Sequence, residues 1–495
     1  MMEEFNFGRR GFLKGLGLMM AGGAVGGCRS VGGDAAGGEA AAAKDAQAGL
    51  ERLSYPVLPY RAKLSRQLTA VVIGCGGRGA CYSEYARNFP DCLKIVGACD
   101  LDAKKVGQFR RHYAIPEENC LVGDYRNYRG FREKLADLMF ICLPDNLHFD
   151  SAMKAMDLGY DLLLEKPMAQ TEAECRALLA KQEATKRMVG IGHVLRYAPY
   201  FRALRMAVAE GRIGRLVSVQ HIEPIEHVHM SHSYVRGNWH DSKKTTPIIL
   251  AKSCHDLDII KWIVGKPCTG VSAEGGLMLF TRENCPKDAP KRCIEGCPHE
   301  RECPYSALRI YHGYDTEYGN GQCSGWNWIF NISDLAGDHR EYNRVLAEKL
   351  RTTDYGKCVF QCDNDQCDHY VANLVFEGGV TAAFSMEAFT PFGGRRTRLM
   401  GTTGYVEGDG SSFKLWDFRT RKVSFWDGKI IDDPRYRNHG HGGGDHALVR
   451  DLLEAVDAQD ESKLSSTVRA SVESHVMGFA CEKSRLEGRK VAVKL

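Results

Sequence analysis

The chain has 495 residues and a formal net charge of +4, from 66 basic and 62 acidic side chains. This length allows two ordinary domains with large cores. Because basic and acidic side chains nearly balance, the chain has no strong positive electrostatic field that would attract nucleic acid. We therefore expect no nucleic-acid partner. Beyond the N-terminus there is no run of about twenty apolar residues, and the sequence predicts no membrane-spanning segment there.

The N-terminal residues carry features of an export signal. Gly8-Arg-Arg-Gly-Phe-Leu-Lys14 resembles a twin-arginine signal, and Val25-Gly-Gly-Cys28 resembles a lipoprotein cleavage box. We expect residues 1–33 to direct export to the periplasm, with Cys28 as a lipid anchor. An ordinary cleavage site beside a chance cysteine is the alternative. Residues 34–66 are predicted to form a flexible tether, because the sequence up to Gly49 is small, polar and low in complexity.

Between residues 67 and 192, short apolar runs alternate with segments of helical spacing. Strands are predicted at Thr69–Ile73, Lys94–Cys99, Leu138–Leu143, Asp161–Leu164 and Met188–Ile191, and helices at Gly77–Asn88, Asp102–Tyr113, His148–Leu158 and Thr171–Thr185. This order is typical of a doubly wound parallel sheet covered by helices on both faces. It predicts an α/β fold with an N-terminal Rossmann domain over 67–192.

A glycine turn follows the first predicted strand. Gly74-x-Gly76-x-x-Gly79 lets the backbone approach a pyrophosphate at a helix N-terminus, and Asp100, closing the next strand, would accept hydrogen bonds from ribose hydroxyls. NAD is expected rather than NADP, because Asp100 would repel a 2′-phosphate and no arginine follows it directly. The predicted cofactor contacts here are Gly74, Gly76, Gly77, Arg78, Gly79 and Asp100.

From residue 193 onward the pattern changes to longer alternating strands. A helix is predicted at Pro199–Glu210, strands at Leu216–Ile222, Val371–Phe376 and Thr381–Met386, and final helices at Asp445–Ala458 and Thr467–Leu486. The pattern predicts a second α/β domain over 193–495, the substrate domain, built on a large open and mostly antiparallel sheet.

A cysteine-rich insertion lies near residues 280–310. It is rich in proline and charge, and its cysteines are Cys285, Cys293, Cys297 and Cys303. The C-x3-C-x5-C spacing matches neither common zinc pairs nor common iron–sulfur runs. In an exported chain we expect disulfides or free thiols, with a structural metal as the less favoured alternative. The insertion is a candidate lid or oligomer contact, and we expect a homo-oligomer.

The order of the motifs resembles the Gfo/Idh/MocA oxidoreductase family. After the glycine turn come Pro144-Asp-Asn-Leu-His148, Glu165-Lys-Pro167 and Arg196-Tyr-Ala-Pro199, and the resemblance covers roughly residues 67–495. It implies bound NAD or NADP and hydride transfer at a carbinol carbon of a sugar or polyol. It also implies further cofactor contacts around the nicotinamide, from Pro144, Asn146, His148, Glu165 and Lys166.

Lys166 and His255 are the predicted catalytic residues. Lys166 follows the predicted strand Asp161–Leu164 at the carboxyl edge, where such sheets bind ligands, and a desolvated lysine can serve in acid–base work. His255 can exchange a proton with a sugar hydroxyl near neutral pH. Helical spacing over Ile248–Val264 puts Lys252 on the same face, and Asp258 could orient the imidazole.

The family pattern is incomplete at one position. Many members carry an aspartate four residues before this histidine, whereas this chain has Ala251. Lys252 could compensate for the missing carboxylate. The departure leaves the usual aspartate–histidine pair in doubt.

A narrower resemblance, to sugar-type oxidoreductases of mostly undefined substrate, includes His232-Ser-Tyr-Val-Arg-Gly-Asn-Trp239. Tryptophan can stack on a sugar ring while the polar side chains donate hydrogen bonds. The histidines at 227, 229 and 232 favour sugar contacts over metal ligands, because their spacing along a predicted strand is loose, and we predict no metal site. The predicted substrate contacts are Arg196, Lys252, His232, Arg236, Asn238 and Trp239.

An exported protein that uses a nicotinamide dinucleotide is predicted to bind this cofactor tightly. No ready pool of nicotinamide dinucleotide exists beyond the membrane, so the simplest cycle returns the cofactor to its starting redox state. Two alternatives to a sugar oxidoreductase stay open. One is an NAD-dependent glycosidase that works by transient C3 oxidation and elimination, and the other is a non-catalytic sugar-binding protein.

Overall fold

The structure is a computed structural model that describes residues 50–57, 59–319, 321–428 and 440–494. The predicted export signal, Cys28 and the first part of the predicted tether lie outside the described residues. The α/β fold class is confirmed: a six-stranded parallel sheet precedes a ten-stranded, mostly antiparallel sheet. Within the described ranges, no helix is both long enough and apolar enough to cross a bilayer.

Strands and helices of the described residues are numbered in chain order. The strands are β1 (Glu51–Arg52), β2 (Leu68–Ile73), β3 (Leu93–Asp100), β4 (Cys120–Val122), β5 (Leu138–Ile141), β6 (Asp161–Leu164), β7 (Val189–Ile191), β8 (Leu216–Pro224), β9 (Cys268–Gly276), β10 (His369–Phe376), β11 (Thr381–Glu387), β12 (Arg396–Gly401), β13 (Gly404–Gly408), β14 (Ser412–Asp417), β15 (Lys422–Asp427) and β16 (Val491–Ala492). The helices are α1 (Gly77–Asn88), α2 (Ala103–Tyr113), α3 (His148–Asp157), α4 (Glu172–Thr185), α5 (Pro199–Ala209), α6 (His227–Met230), α7 (Ile248–Ala251), α8 (Cys254–Val264), α9 (Ala307–Ile310), α10 (His339–Thr352), α11 (Gly444–Ala458) and α12 (Val468–Glu487).

The first sheet has the strand order β4-β3-β2-β5-β6-β7, and all its pairs are parallel. Its central strands are apolar and buried because helices cover both faces. Ile73 pairs with Cys99 and Ile141, and Ile141 pairs with Leu164. This register brings the carboxyl ends of four strands to one edge, where the predicted dinucleotide and catalytic motifs meet.

The second sheet has the order β1-β15-β14-β13-β12-β8-β11-β10-β9-β16. Only the pairs β1–β15 and β8–β11 are parallel. Along β10 and β11 buried and exposed residues alternate, as expected for a sheet with one covered face. Helix α12 packs against β9 of this sheet and against α4 and α8, and it thereby joins the two domains.

The end of the predicted tether belongs to the fold. Strand β1 pairs with β15, and Leu53 N donates to Phe425 O at 2.7 Å. Leu53, Tyr60 and Ala62 are buried in the main core. The structure therefore differs from the tether predicted over 34–66 in its described part, because these apolar side chains anchor a segment whose low-complexity composition ends at Gly49.

The insertion is larger than the predicted segment near 280–310. Residues 277–368 leave the sheet after β9 and return to it at β10. This lobe has a small apolar core of its own, formed by Cys293, Ala307, Ile310, Tyr311, Phe330, Ile332, Tyr342, Leu346 and Leu350. Of the two expected states, disulfides or free thiols, each cysteine of the described residues is a free thiol.

Candidate functional site

The glycine turn after β2 leaves a helix N-terminus open. Gly74 has φ +92°, and a Cβ there would lie 2.3 Å from Cys142 O, while a Cβ on Gly79 would lie 2.0 Å from Gly74 O. Both positions require glycine for close packing. Gly76, the N-cap of α1, has open space around its Cβ position, and no side chain caps the helix. The free N–H groups of the first turn therefore fit a pyrophosphate.

Asp100 lies beside this turn at the end of β3. Its Oδ2 accepts a hydrogen bond from Cys75 N at 2.8 Å, and its Oδ1 accepts one from Asp102 N at 2.9 Å. These bonds fix the carboxylate against the glycine turn. Each oxygen keeps a further lone pair, which suits the ribose hydroxyls of a dinucleotide.

Arg78 and Glu165 brace the site with their side chains. Arg78 Nε donates to Glu165 Oε1 at 2.6 Å, and Arg78 Nη2 donates to Asp445 Oδ1 at 2.7 Å. Burial would raise the pKa of Glu165, but the charges of Arg78 and Lys166 lower it below its usual value, so the carboxylate stays ionised. Both side chains were predicted cofactor contacts. Each is engaged in this ion-pair network between α1, β6 and α11, and its cofactor contact stays a prediction.

Lys166 is positioned by backbone contacts. The Lys166–Pro167 peptide bond is cis, and Lys166 N donates to Glu165 Oε2 at 3.0 Å. Lys166 Nζ donates to Ala251 O at 2.8 Å. Many family members have an aspartate at this position. In this chain the backbone carbonyl of Ala251 is the acceptor for Lys166 Nζ instead. Among the described residues the ammonium has no further acceptor, which leaves two N–H bonds for a substrate.

His255 lies four residues after Ala251, whose carbonyl accepts the hydrogen bond from this ammonium. Its side chain is buried, and its Nδ1 has no hydrogen-bond partner among the described atoms. Its ring centroid is 5.9 Å from that of His193 and 6.0 Å from that of His441. Burial lowers the pKa of His255 well below its usual value, and the charges of Lys166 and Arg395 lower it further. The imidazole is therefore neutral at ordinary pH.

The helix predicted over Ile248–Val264 is broken, and Lys252 lies at the break. Its Nζ is 3.3 Å from Glu223 Oε1, and Glu223 Oε2 is 2.9 Å from Arg395 Nη2. Arg395 Nε also donates to Asp256 Oδ1 at 2.7 Å. Lys252 keeps 16% of its side chain exposed, so its predicted substrate contact stays a prediction. Sequence reasoning missed Glu223, on β8, and Arg395, directly before β12, because both are distant along the chain and no local motif marks them.

Arg196 and His148 are structural in this fold, contrary to their predicted binding roles. Arg196 Nε and Nη2 donate to Asp258 at 2.6 and 2.7 Å, and its Nη1 donates to Ser465 O. Asp258 therefore holds Arg196 and not His255. The ring nitrogens of His148 lie 2.7 Å from Pro167 O and 2.8 Å from a second backbone carbonyl, that of residue 143. Within the described residues, every nitrogen of the two side chains has a protein partner, and both side chains are buried.

His232 and Arg236 face the insertion, because residues 227–236 form α6 and a π-helix where a strand was predicted. His232 Nδ1 is 2.8 Å from Tyr311 Oη, and burial, with the charge of Arg236, lowers its pKa to about 3. Arg236 donates to Lys357 O and Tyr305 O at 2.7 Å. Both were predicted substrate contacts, and the structure instead buries them as anchors of the insertion.

The remaining predicted contacts are exposed. Asn238 and Trp239 follow the π-helix, and Pro144 and Asn146 lie at the carboxyl end of β5. No contact among the described residues shows that these four residues bind a ligand. Their binding roles stay predictions.

One group of possible metal ligands occurs beside the site: His193, Cys254 and His475 have ligand atoms within 4.8 Å of one another. His475 Nδ1 lies 2.7 Å from Ser471 O, and its Nε2 accepts from Met168 N at 3.0 Å. Both of its nitrogens are thus engaged. We assign no metal ion to this group, since only two ligands remain.

The insertion reaches the glycine turn. A Cβ at Gly77 would lie 3.8 Å from the Trp328 ring, and 50% of Trp328 is exposed. At the start of α2, Lys104 Nζ donates to Asn331 O at 2.5 Å and to Asp334 Oδ1 at 2.7 Å. The lobe therefore contacts the first domain on two sides of the dinucleotide turn.

Two family models match the chain. Residues 68–193 match "Oxidoreductase family, NAD-binding Rossmann fold", and residues 205–493 match "Oxidoreductase family, C-terminal alpha/beta domain". The chain is similar to YteT of Bacillus subtilis strain 168, with 22% identity over 443 residues, covering 86% of this chain and 97% of that protein. It is 27% identical over 201 residues to inositol 2-dehydrogenase of Salmonella typhimurium, covering 40% of this chain and 55% of that protein.

A solved structure shows the same fold. The aldose-aldose oxidoreductase of Caulobacter crescentus, complexed with glycerol, superposes with a TM-score of 0.59. The match covers 86% of this chain and 100% of that chain at 15% identity. At this identity the similarity establishes the fold alone.

Proposed function

The chain belongs to the Gfo/Idh/MocA oxidoreductase family, and we propose on this basis that its substrate is a sugar, polyol or glycoside. The protein is an oxidoreductase with an NAD-binding Rossmann domain. The substrate class is supported by the names of its relatives, an inositol 2-dehydrogenase and an aldose-aldose oxidoreductase. The observation that carries the proposal is the Lys166 ammonium beside a buried, neutral His255 at the carboxyl edge of the first sheet.

The residues at this edge fit NAD. The open turn at Gly76 and Gly77 would hold the pyrophosphate, and Asp100 would hold the ribose. Asp100 would also repel the 2′-phosphate of NADP. When bound, NAD supplies the nicotinamide carbon that accepts a hydride.

Lys166 and His255 would handle the hydroxyl proton of the substrate. The free N–H bonds of Lys166 would donate to the hydroxyl oxygen and stabilise the negative charge that develops there. The neutral imidazole of His255 would take the proton. Together the two side chains provide a base and an electrostatic stabiliser for oxidation at a carbinol carbon.

The proposal extends to a redox-neutral cycle on retained NAD in an exported protein. Its support is the twin-arginine pattern at Arg9-Arg10 and the insertion that contacts both sides of the dinucleotide turn through Trp328 and Lys104. One sugar would be oxidised and another reduced, as the name aldose-aldose oxidoreductase implies for the Caulobacter protein. A lipid anchor at Cys28 and a homo-oligomer belong to this proposal as well.

A substrate screen tests the proposed function. Free sugars, polyols and aryl glycosides are supplied to the purified protein while NADH absorbance, sugar products and aglycone release are followed. Oxidised sugar or reduction of bound NAD supports the proposal. Aglycone release without an oxidised product would indicate the glycosidase. Binding without any reaction across the panel would indicate a non-catalytic sugar-binding protein.

A further inference from the structure

We propose that the cysteine-lined cavity of the insertion is a metal centre held by thiolates. Cys293, Cys297, Cys303 and Cys358 line this one cavity. The first three lie within eleven residues of sequence, and Cys358 follows α10. A bridge between Arg292 and Lys357, with Cys358 N donating to Lys291 O at 2.9 Å, brings the distant cysteine to the others. Sequence spacing could not reveal a four-cysteine set that the fold assembles.

Arg236 is the second observation that indicates a ligand. It lines the cavity, is 2% exposed, and has one guanidinium nitrogen, Nη1, without a hydrogen-bond partner. Its Nη2 lies 3.7 Å from Cys293 Sγ. Within the described part of the chain, no carboxylate forms an ion pair with Arg236. A buried cation needs a neighbouring negative charge, and metal-bound thiolates would supply it.

The carboxylate that lines the cavity, that of Glu300, forms no ion pair with Arg236 within the described part of the chain; it accepts hydrogen bonds from Ser306 Oγ at 2.9 Å and Tyr318 Oη at 2.7 Å. His299 also lines the cavity, and its Nε2 lies 2.7 Å from Lys287 O. The rest of the lining is largely apolar, with Pro286, Ala289 and Phe360 among it. A soft metal held by cysteine sulfurs fits this lining better than a hard, oxygen-seeking ion.

The spacing of the sulfurs bears on the kind of metal. Zn–S bonds of about 2.3 Å would set four tetrahedral sulfurs roughly 3.8 Å apart. Among the described cysteines of the insertion, no three sulfurs lie within 4.8 Å of one another. Four cysteine thiolates are also the ligand set of an iron–sulfur cluster, which holds its sulfurs farther apart than a single zinc ion does. A zinc ion shares the same thiolate chemistry and would draw the sulfurs closer.

Metal content of the full-length protein tests the proposal. Protein purified without oxygen or chelator is assayed for zinc, iron and acid-labile sulfide. We expect about four irons with matching sulfide, or about one zinc, per chain. Cys303→Ser and Cys358→Ser should each lower this content at least about fivefold. Cys323→Ser is the matched control, since Cys323 lies in the same lobe and does not line the cavity.

Two outcomes of that assay would overturn the proposal: wild-type protein without stoichiometric zinc or iron, and cavity variants that keep the metal. X-ray absorption at the metal edge of the wild-type protein provides a test that needs no variant to fold. An all-sulfur shell near about 2.3 Å supports the site. A shell with nitrogen ligands would point to His193, Cys254 and His475 or to adventitious metal, and would contradict it.

Discussion

Lys166 is held by the carbonyl of Ala251, at the position where many family members carry an aspartate. The backbone therefore orients the ammonium, and His255 remains the one predicted side-chain base. We expect Lys166→Ala and His255→Ala each to lower kcat by about a hundredfold or more, the scale of an acid–base group. Steady-state kinetics on a substrate from the screen would measure this.

The NAD content of the two variants is the control. Both should still contain bound NAD, because neither substitution changes the glycine turn. Arg111→Ala, at an exposed position of α2, should leave kcat unchanged. If Lys166→Ala and His255→Ala both turn over at near-normal rates, neither residue is catalytic, whatever the NAD content of the variants.

Buried neutral histidines make the fold sensitive to acid. Burial and the charge of His193 lower the pKa of His475 to about 3, against about 6.5 in an unfolded chain. The unfolded state therefore binds a proton between these pH values that the folded state does not. Each such histidine should lower the free energy of unfolding by about 1.4 kcal/mol per pH unit as the pH falls from 6.5 to 3.

His475→Gln should flatten this dependence by about one proton, measured as the slope of unfolding free energy against pH in urea titrations. His112→Gln, at an exposed position, is the control and should leave the slope unchanged. An unchanged slope in His475→Gln would contradict the buried neutral state. The slope is informative even if the variant is less stable at all pH values.

Among the elements, the insertion is the one that sequence analysis described least well. Its contact at Gly77 comes from Trp328, and its second contact joins Lys104 to Asp334. If these contacts close the cleft over the dinucleotide, Trp328→Ala and Asp334→Ala should each raise the dissociation rate of NAD, by about tenfold or more for the tryptophan. Release of bound NAD, followed by fluorescence, measures the rate.

Phe418→Ala is the matched control for that experiment, because Phe418 is an equally exposed aromatic residue on the second sheet. A Lys104→Ala, Asp334→Ala double-mutant cycle isolates the ion pair, whose energy should appear in the dissociation rate. Equal NAD release from Trp328→Ala and wild type would show that the lobe contacts the turn without retaining the cofactor.

Helices and strands with a strong pattern were predicted well, and those set by distant contacts were not. The predicted helix over Gly77–Asn88 has the same bounds in the structure, because apolar spacing and the glycine turn define it locally. The strand predicted around His227–His232 is wrong, since aromatic residues of the insertion, such as Trp326 and Tyr355, pack around His232. Strand β4 was missed because it is three residues long and partly exposed.

For the molecule as a whole, the sequence sufficed for both sheets and for the edge at which the site lies. The sequence could not predict which polar side chains are already paired with other side chains of the folded protein. Arg196 and Arg78 look like ligand contacts in the sequence, yet their partners Asp258 and Asp445 are 62 and 367 residues away. Only the packing of the two domains reveals that these guanidinium groups are already paired.

The central claim is that a hydride moves between a sugar carbon and NAD that stays on the protein. It is tested most directly by supplying aldoses deuterated at the reacting carbon, without added NAD, and measuring deuterium in the bound, reduced nicotinamide by mass spectrometry after alkaline quench. We predict that bound nicotinamide becomes deuterated in wild-type protein while sugar products form over many turnovers and free NADH does not accumulate. Product formation that requires added NAD and releases an equal amount of NADH would contradict the claim.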